Sequence, residues 1–162
     1  MLPKFEKILY ASDLGDQTRP ASRVAVSLAQ QYGATIVMCH ALEPVGAYGR
    51  ALIETYVSSE DLESVYQEGQ QRVLENMRKR LKKFTEEELA GSADMSAHVS
   101  SIVVKEGLPG EVIVEEAESH GVDLIVVGTH RKTGALKRML IGSTARYVTQ
   151  HAKCPVLVVP TE

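Results

Sequence analysis

A chain of 162 residues, 44% hydrophobic and 24% charged, is sized for one domain with a real core, taken here as residues 1–162, and is far from a disordered composition. A formal net charge of −3 excludes a blanket attraction to nucleic acid or anionic membrane. Two cysteines, Cys39 and Cys154, make no disulfide framework, no apolar run reaches the length of a bilayer span, and no secretory signal precedes the first strand-like run. A cytoplasmic protein without nucleic-acid or membrane partners is therefore expected.

Lys7-Ile8-Leu9-Tyr10-Ala11 is a short apolar run followed by Ser12-Asp13, which reads as a buried strand ending in a polar loop. From about Thr18 to Tyr32 the apolar residues Ala21, Val24, Ala25, Leu28 and Ala29 share one helical face, and Gly33 supplies the stop. Ala34–Ala41 is apolar almost throughout, as a strand covered on both faces would be. Glu43–Ser59, with Pro44, Gly46 and Gly49, reads as a loop or a partly ordered lid.

Ser58 or Ser59 is placed to cap a long helix to about Leu89, with an apolar stripe of Leu62, Val65, Tyr66, Val73, Met77, Leu81 and Phe84. The basic run Arg78-Lys79-Arg80 with Lys82-Lys83 reads as the solvated face of that helix. A polar break at Gly91–Asp94 leads to a strand from about His98 to Val104. Pro109 then falls in the first turn of a helix that packs through Val112, Ile113 and Ala117 and ends at His120-Gly121. Asp123–Val127 is a further buried strand running into Gly128, Ser143–Ala152 a helix, and Pro155–Val159 the last strand. The alternation predicts an α/β fold with a doubly wound parallel sheet of five strands.

Ligands of such sheets bind beyond the carboxyl ends of the strands, so Ser12-Asp13, Cys39-His40-Ala41 and the segment from Gly128 are the informative positions. Gly128–Thr144 carries three glycines and four basic residues and ends on Gly142-Ser143-Thr144 at a helix start. Free backbone N–H groups, a positive helix end and hydroxyls make a phosphate cradle, and glycine lets the backbone approach an anion closely. A turn followed by a Ser143 N-cap accounts for the same residues without a ligand.

Several blocks together resemble the universal stress proteins: Lys7–Asp13, Gly107-x-Pro109, Asp123–Gly128, Gly142-Ser143 and Cys154–Val159, in that order along essentially the whole chain. The resemblance implies a flavodoxin-like, three-layer sandwich of the adenine-nucleotide α-hydrolase type, with strand order 3-2-1-4-5. It implies bound ATP, with Asp13 near the ribose and adenine, the Ala41 backbone at the adenine edge beside Val127, and Gly128, Gly142, Ser143 and Thr144 on the phosphates. It further implies a homodimer through Val156–Val159, an unidentified protein partner, and a stress-response regulator, not an efficient enzyme.

The nucleotide-binding branch of that family carries Gly-x2-Gly-x9-Gly-Ser/Thr. Here the second glycine position is Arg131 counted from Gly128 and Lys132 counted back from Gly142, so the loop lacks that glycine and is one residue longer. Gly134 offers partial compensation. Either Arg131 or Lys132 contacts phosphate directly, or the larger side chain fills the phosphate space. His130 reads as a further phosphate contact or as an exposed loop histidine.

No Walker loop or Gly-x-Gly-x-x-Gly follows a strand. A receiver domain is excluded because Val104-Lys105-Glu106 and Pro160-Thr161-Glu162 lack its phosphoacceptor Asp and Lys. Asp13 could hold Mg²⁺ with nucleotide oxygens or cap its own loop. His40, His98, His120, His130 and His151 show no metal-ligand spacing, and no nucleophile–base pair stands out, so any ATP turnover is expected to be slow.

Overall fold

The computed structural model describes residues 2–15, 18–56, 62–89, 98–129 and 141–161. Its elements are β1 (Lys7–Ala11), α1 (Arg19–Tyr32), β2 (Thr35–Leu42), α2 (Ala47–Tyr56), α3 (Leu62–Leu89), β3 (Val99–Glu106), α4 (Pro109–His120), β4 (Leu124–Thr129), α5 (Ser143–His151) and β5 (Val156–Pro160). All strand pairs are parallel and the order is β3-β2-β1-β4-β5, as expected.

The period of two along each central strand divides the core into two halves. Ile8 and Tyr10, Ile36 and Met38, and Leu124 and Val126 point to one side, where they meet Ala21, Ala25 and Ala29 of α1 and Leu81 of α3. Leu9 and Ala11, Val37 and Cys39, and Ile125 and Val127 point to the other, onto Val112, Ile113 and Ala117 of α4 and Ala145 and Val148 of α5. The alanines of α1 let that helix lie close on the sheet. Gly33 ends it in the left-handed region at φ 65°, its N–H donating to Ala29 O.

At the amino end of the sheet, the Asp123 carboxylate accepts the Glu6 and Lys7 amides, both at 2.9 Å. The Asp123 amide in turn donates to Lys7 O at 2.8 Å, so side chain and backbone of one residue together tie the two strands where the β1–β4 ladder begins.

Three expectations are corrected. Glu43–Ser59 is not loop throughout: Ala47–Tyr56 is helical, its Ala, Arg, Leu and Glu outweighing Gly49, although it buries none of its side chains. The stripe on α3 is narrower than expected. Leu81 is fully buried and Leu74 and Met77 pack on the core, whereas Val65 and Val73 are exposed. Tyr66, Gln70, Leu74, Met77 and Leu81 form the inward line, with Gln70 donating to Glu106 of β3. The proposed caps Ser58 and Ser59 and the side chains of Leu62 and Phe84 lie outside the described residues. Finally, β4 runs on through Gly128 to Thr129, so Gly128 is a strand residue paired with Val159.

The basic run of α3 is a solvated face, with Lys82–Glu86 and Lys83–Glu87 pairs four residues apart. Among the described residues no helix is long and apolar enough to cross a membrane.

Candidate functional site

The carboxyl ends of β1, β2 and β4 open into a cleft of about 680 Å³, closed on one side by the first turns of α4 and α5. It lies where strand order reverses between β1 and β4, the place where parallel sheets of this kind take ligands. Asp13, Ala41, Val127, Gly128, Gly142, Ser143 and Thr144 all line it. His130, Arg131, Lys132 and Gly134 lie outside the described residues.

The β1–α1 turn is held by its own side chains. Ser12 Oγ accepts the Leu14 amide at 3.1 Å, and Asp13 Oδ1 accepts the Gly15 amide at 2.8 Å. Thr18 donates through both N–H and hydroxyl to Gly15 O, at 3.1 and 2.7 Å, and the buried Tyr10 hydroxyl donates to Thr18 O at 3.0 Å. Between them Leu14 adopts φ 63°, a left-handed conformation that a branched side chain takes only when its surroundings impose it. Asp13 therefore caps its own loop, as one of the two sequence readings had it, and its exposed carboxyl also borders the cleft.

Opposite, the N-cap of α5 is Gly142, not Ser143, and among the described residues no side chain caps the helix. The first intrahelical bond is Arg146 N–H to Gly142 O, so Ser143, Thr144 and Ala145 precede it with amides beyond the reach of the helical ladder. The reading of Ser143 as an N-cap is thus overturned: the glycine has no side chain to fold back over these donors. A helix end whose first N–H groups lie outside the helical ladder, with two adjacent hydroxyls, is a ready anion site.

Gly128 has a packing reason as well. A Cβ there would meet Thr161 Cγ2 at 2.8 Å and Ala21 Cβ at 3.8 Å. Thr161 folds back after β5 so that its N–H donates to Thr129 Oγ1 at 3.3 Å, while its own hydroxyl is buried with no hydrogen-bond partner among the described residues.

The apolar wall is Cys39, Val127, Pro109 and Ile113, and the carboxylates Asp13 and Glu43 sit on the lining with Arg146. Burial pushes the Cys39 thiol up to about 12, with Glu116 adding to the shift, so it is a protonated wall residue and no nucleophile. The strand-end rule pointed to Ser12 and His40, and Thr129 lies in the segment it marked from Gly128. Sequence reasoning did not single out Pro109, Ile113, Arg146 or Thr161 as cleft residues, which tertiary packing brings in. Among the described residues no group of three or more His, Cys, Asp or Glu is placed to hold a metal ion.

The model of the universal stress protein family matches residues 4–160. The chain is 32% identical to universal stress protein A homolog 2 of Coxiella burnetii over 160 residues, 98% of this chain and 97% of that protein. The structure resembles that of a universal stress protein UspA from Lactobacillus plantarum, with TM-score 0.64, 25% identity, and 98% and 99% of the two chains covered. It also shares the fold of a universal stress protein solved in complex with cAMP, with TM-score 0.55, 22% identity, and 98% and 99% covered.

Proposed function

This chain belongs to the universal stress protein family, and on that footing we propose that it is a cytoplasmic stress-response regulator that binds an adenine nucleotide, ATP foremost, in the cleft between Asp13 and Ser143. The observation that carries the reading is the start of α5, uncapped among the described residues and opening on the same cleft as the apolar wall of Val127, Pro109 and Ile113. One end offers helix-end amides and hydroxyls to phosphate; the other offers apolar surface and main chain to a base. A volume of about 680 Å³ falls within the range of small-molecule sites, roughly 300–1,000 Å³. A fold relative solved with cAMP supports the class of ligand.

A magnesium ion carried by ATP needs only one or two carboxylates beside phosphate oxygens, and Asp13 and Glu43 border the cleft. On this reading the nucleotide acts as a signal whose presence alters contacts with a protein partner. The apolar β5 edge, Val156–Val159, is where two copies would pair.

Equilibrium binding of a labelled ATP analogue with Mg²⁺ tests the reading, with Gly142→Asp as control. Saturable binding lost in Gly142→Asp is expected, because a carboxylate would then face the phosphates; no saturation at millimolar nucleotide sinks the proposal.

A second reading, an interaction protein that does not use nucleotide, is favoured by one observation. Tyr48, Leu52 and Tyr56 lie four apart on α2 and are exposed. Nucleotide released on denaturing the purified protein counts against it.

A further inference from the structure

We infer that His40 is a positioning residue that keeps Ala41 out of the β1–β2 ladder and so creates the main-chain edge that reads the base; this rests on the nucleotide reading above.

The argument starts from ladder geometry. In a parallel sheet the N–H and C=O of one residue point to the same neighbouring strand, and successive residues alternate between neighbours. Ser12 N–H donates to Cys39 O at 2.9 Å, so the Cys39 carbonyl faces β1. Gly107 N–H donates to Leu42 O at 3.0 Å, so Leu42 faces β3. Ala41 therefore faces the β1 side, and the next rung would be Ala41 N–H to Ser12 O.

That rung is absent. Ser12 O instead accepts from His40 Nδ1 at 2.7 Å, and the ladder of β1 stops at Ala11–Cys39. A carbonyl only accepts, so the ring carries its proton on Nδ1. Among the described residues the Ala41 amide then has no backbone partner on the β1 side, and Ala41 lines the cleft. An adenine edge is a string of acceptors and an amino donor, which a strand's unpaired N–H and C=O match as a further rung would. The imidazole thus does two things: it satisfies the Ser12 carbonyl, and it leaves Ala41 to the ligand.

Removing the imidazole should let Ser12 O and the Ala41 amide close the missing rung. The test has one arm without ligand. Amide hydrogen exchange of the nucleotide-free protein is compared for wild type, His40→Ala and His40→Asn, whose side-chain NH2 stands near the position of Nδ1. Slowing of Ala41 exchange by about fivefold or more in His40→Ala, the effect of one net hydrogen bond, is expected, with wild-type exchange in His40→Asn. Should His40→Ala fail to fold, His40→Leu keeps the bulk and carries the same comparison.

The second arm is affinity for adenosine and for ATP. Both should weaken alike, roughly tenfold, in His40→Ala and recover in His40→Asn, because the lost contact is to the base and not to phosphate. Unchanged Ala41 exchange in His40→Ala overturns the inference, as does an affinity that His40→Gln restores and His40→Asn does not, which would mean direct contact through Nε2. Absence of nucleotide binding in the wild type overturns the functional reading instead, and leaves the exchange arm to judge the rung.

Discussion

Gly110 sets how closely α4 and α5 approach, and replacing it with alanine pits two effects of known sign against each other. A Cβ at Gly110 would stand 2.7 Å from Tyr147 Cδ1 and 2.8 Å from both Cβ and Cγ of the same residue. Carbon atoms in contact prefer about 3.5–4.0 Å, so the overlap approaches an ångström. Because Tyr147 Cβ is among the atoms met, turning the ring does not relieve it, and α5 itself must recede. In an exposed helix, Gly→Ala would stabilise by about 1 kcal/mol; overpacking a buried contact costs about 1–3 kcal/mol. The structure decides for the second, since Gly110 is buried and Tyr147 is further pinned by stacking on His151, centroids 4.0 Å apart. Gly110→Ala should therefore destabilise by about 1 kcal/mol net, lowering a urea midpoint by about 0.5 M for a slope near 2 kcal/mol/M. Nucleotide affinity should fall as well, because α5 carries Ser143 and Thr144. Urea denaturation followed by circular dichroism reads the first effect and titration calorimetry the second. A variant more stable than wild type would show that the helices do not touch as described, and would remove the reason for placing Ser143 at the cleft.

Two further outcomes follow from buried groups. Thr161→Val removes a buried hydroxyl that has no partner while keeping its shape, and should raise stability by about 1 kcal/mol in a thermal melt without ligand; a loss of that size would mean the hydroxyl is bonded in solution. Cys39, raised by burial, should react with a disulfide reagent at pH 8 far more slowly than the less buried Cys154 until urea unfolds the chain. Its folded value, about 12, lies above the ordinary thiol value of 9.0 expected of the unfolded chain, so the stabilisation tied to the neutral thiol is complete below about pH 9 and is lost as pH rises toward 12. Wild-type stability should therefore fall relative to Cys39→Ala across that window; parallel curves would refute the assignment.

The sheet was legible because its strands are buried on both faces and its helices on one. Lys7–Ala11 and the alanines of α1 could be read almost to the residue. What escaped depended on neighbours distant in sequence. α2 is built of helix formers but spends no apolar side chain on the core, so no buried stripe announced it. The α3 stripe was overdrawn because Val65 and Val73 are apolar yet lie off the inward line. At the site, the strand-end rule found Asp13 and Ala41, and glycine before Ser-Thr found the start of α5. The rule could not say that Gly142 would be the cap, which is what leaves the helix end open, nor that Thr161 would return to Gly128 and give that glycine a second reason to be there.

The division of the core by the parity of strand residues bears on how such a protein can change over generations. Adding or deleting one residue inside β1, β2 or β4 would exchange the side chains bound for α1 with those bound for α4, so that Tyr10 and Leu9 would trade sides. Length variation is therefore confined to the connections, and the connections at the carboxyl ends are what build the cleft. Inheritance can thus alter what the protein recognises by lengthening or shortening a turn while the scaffold stays fixed. The extra residue between Gly128 and Gly142 sits in such a tolerated place.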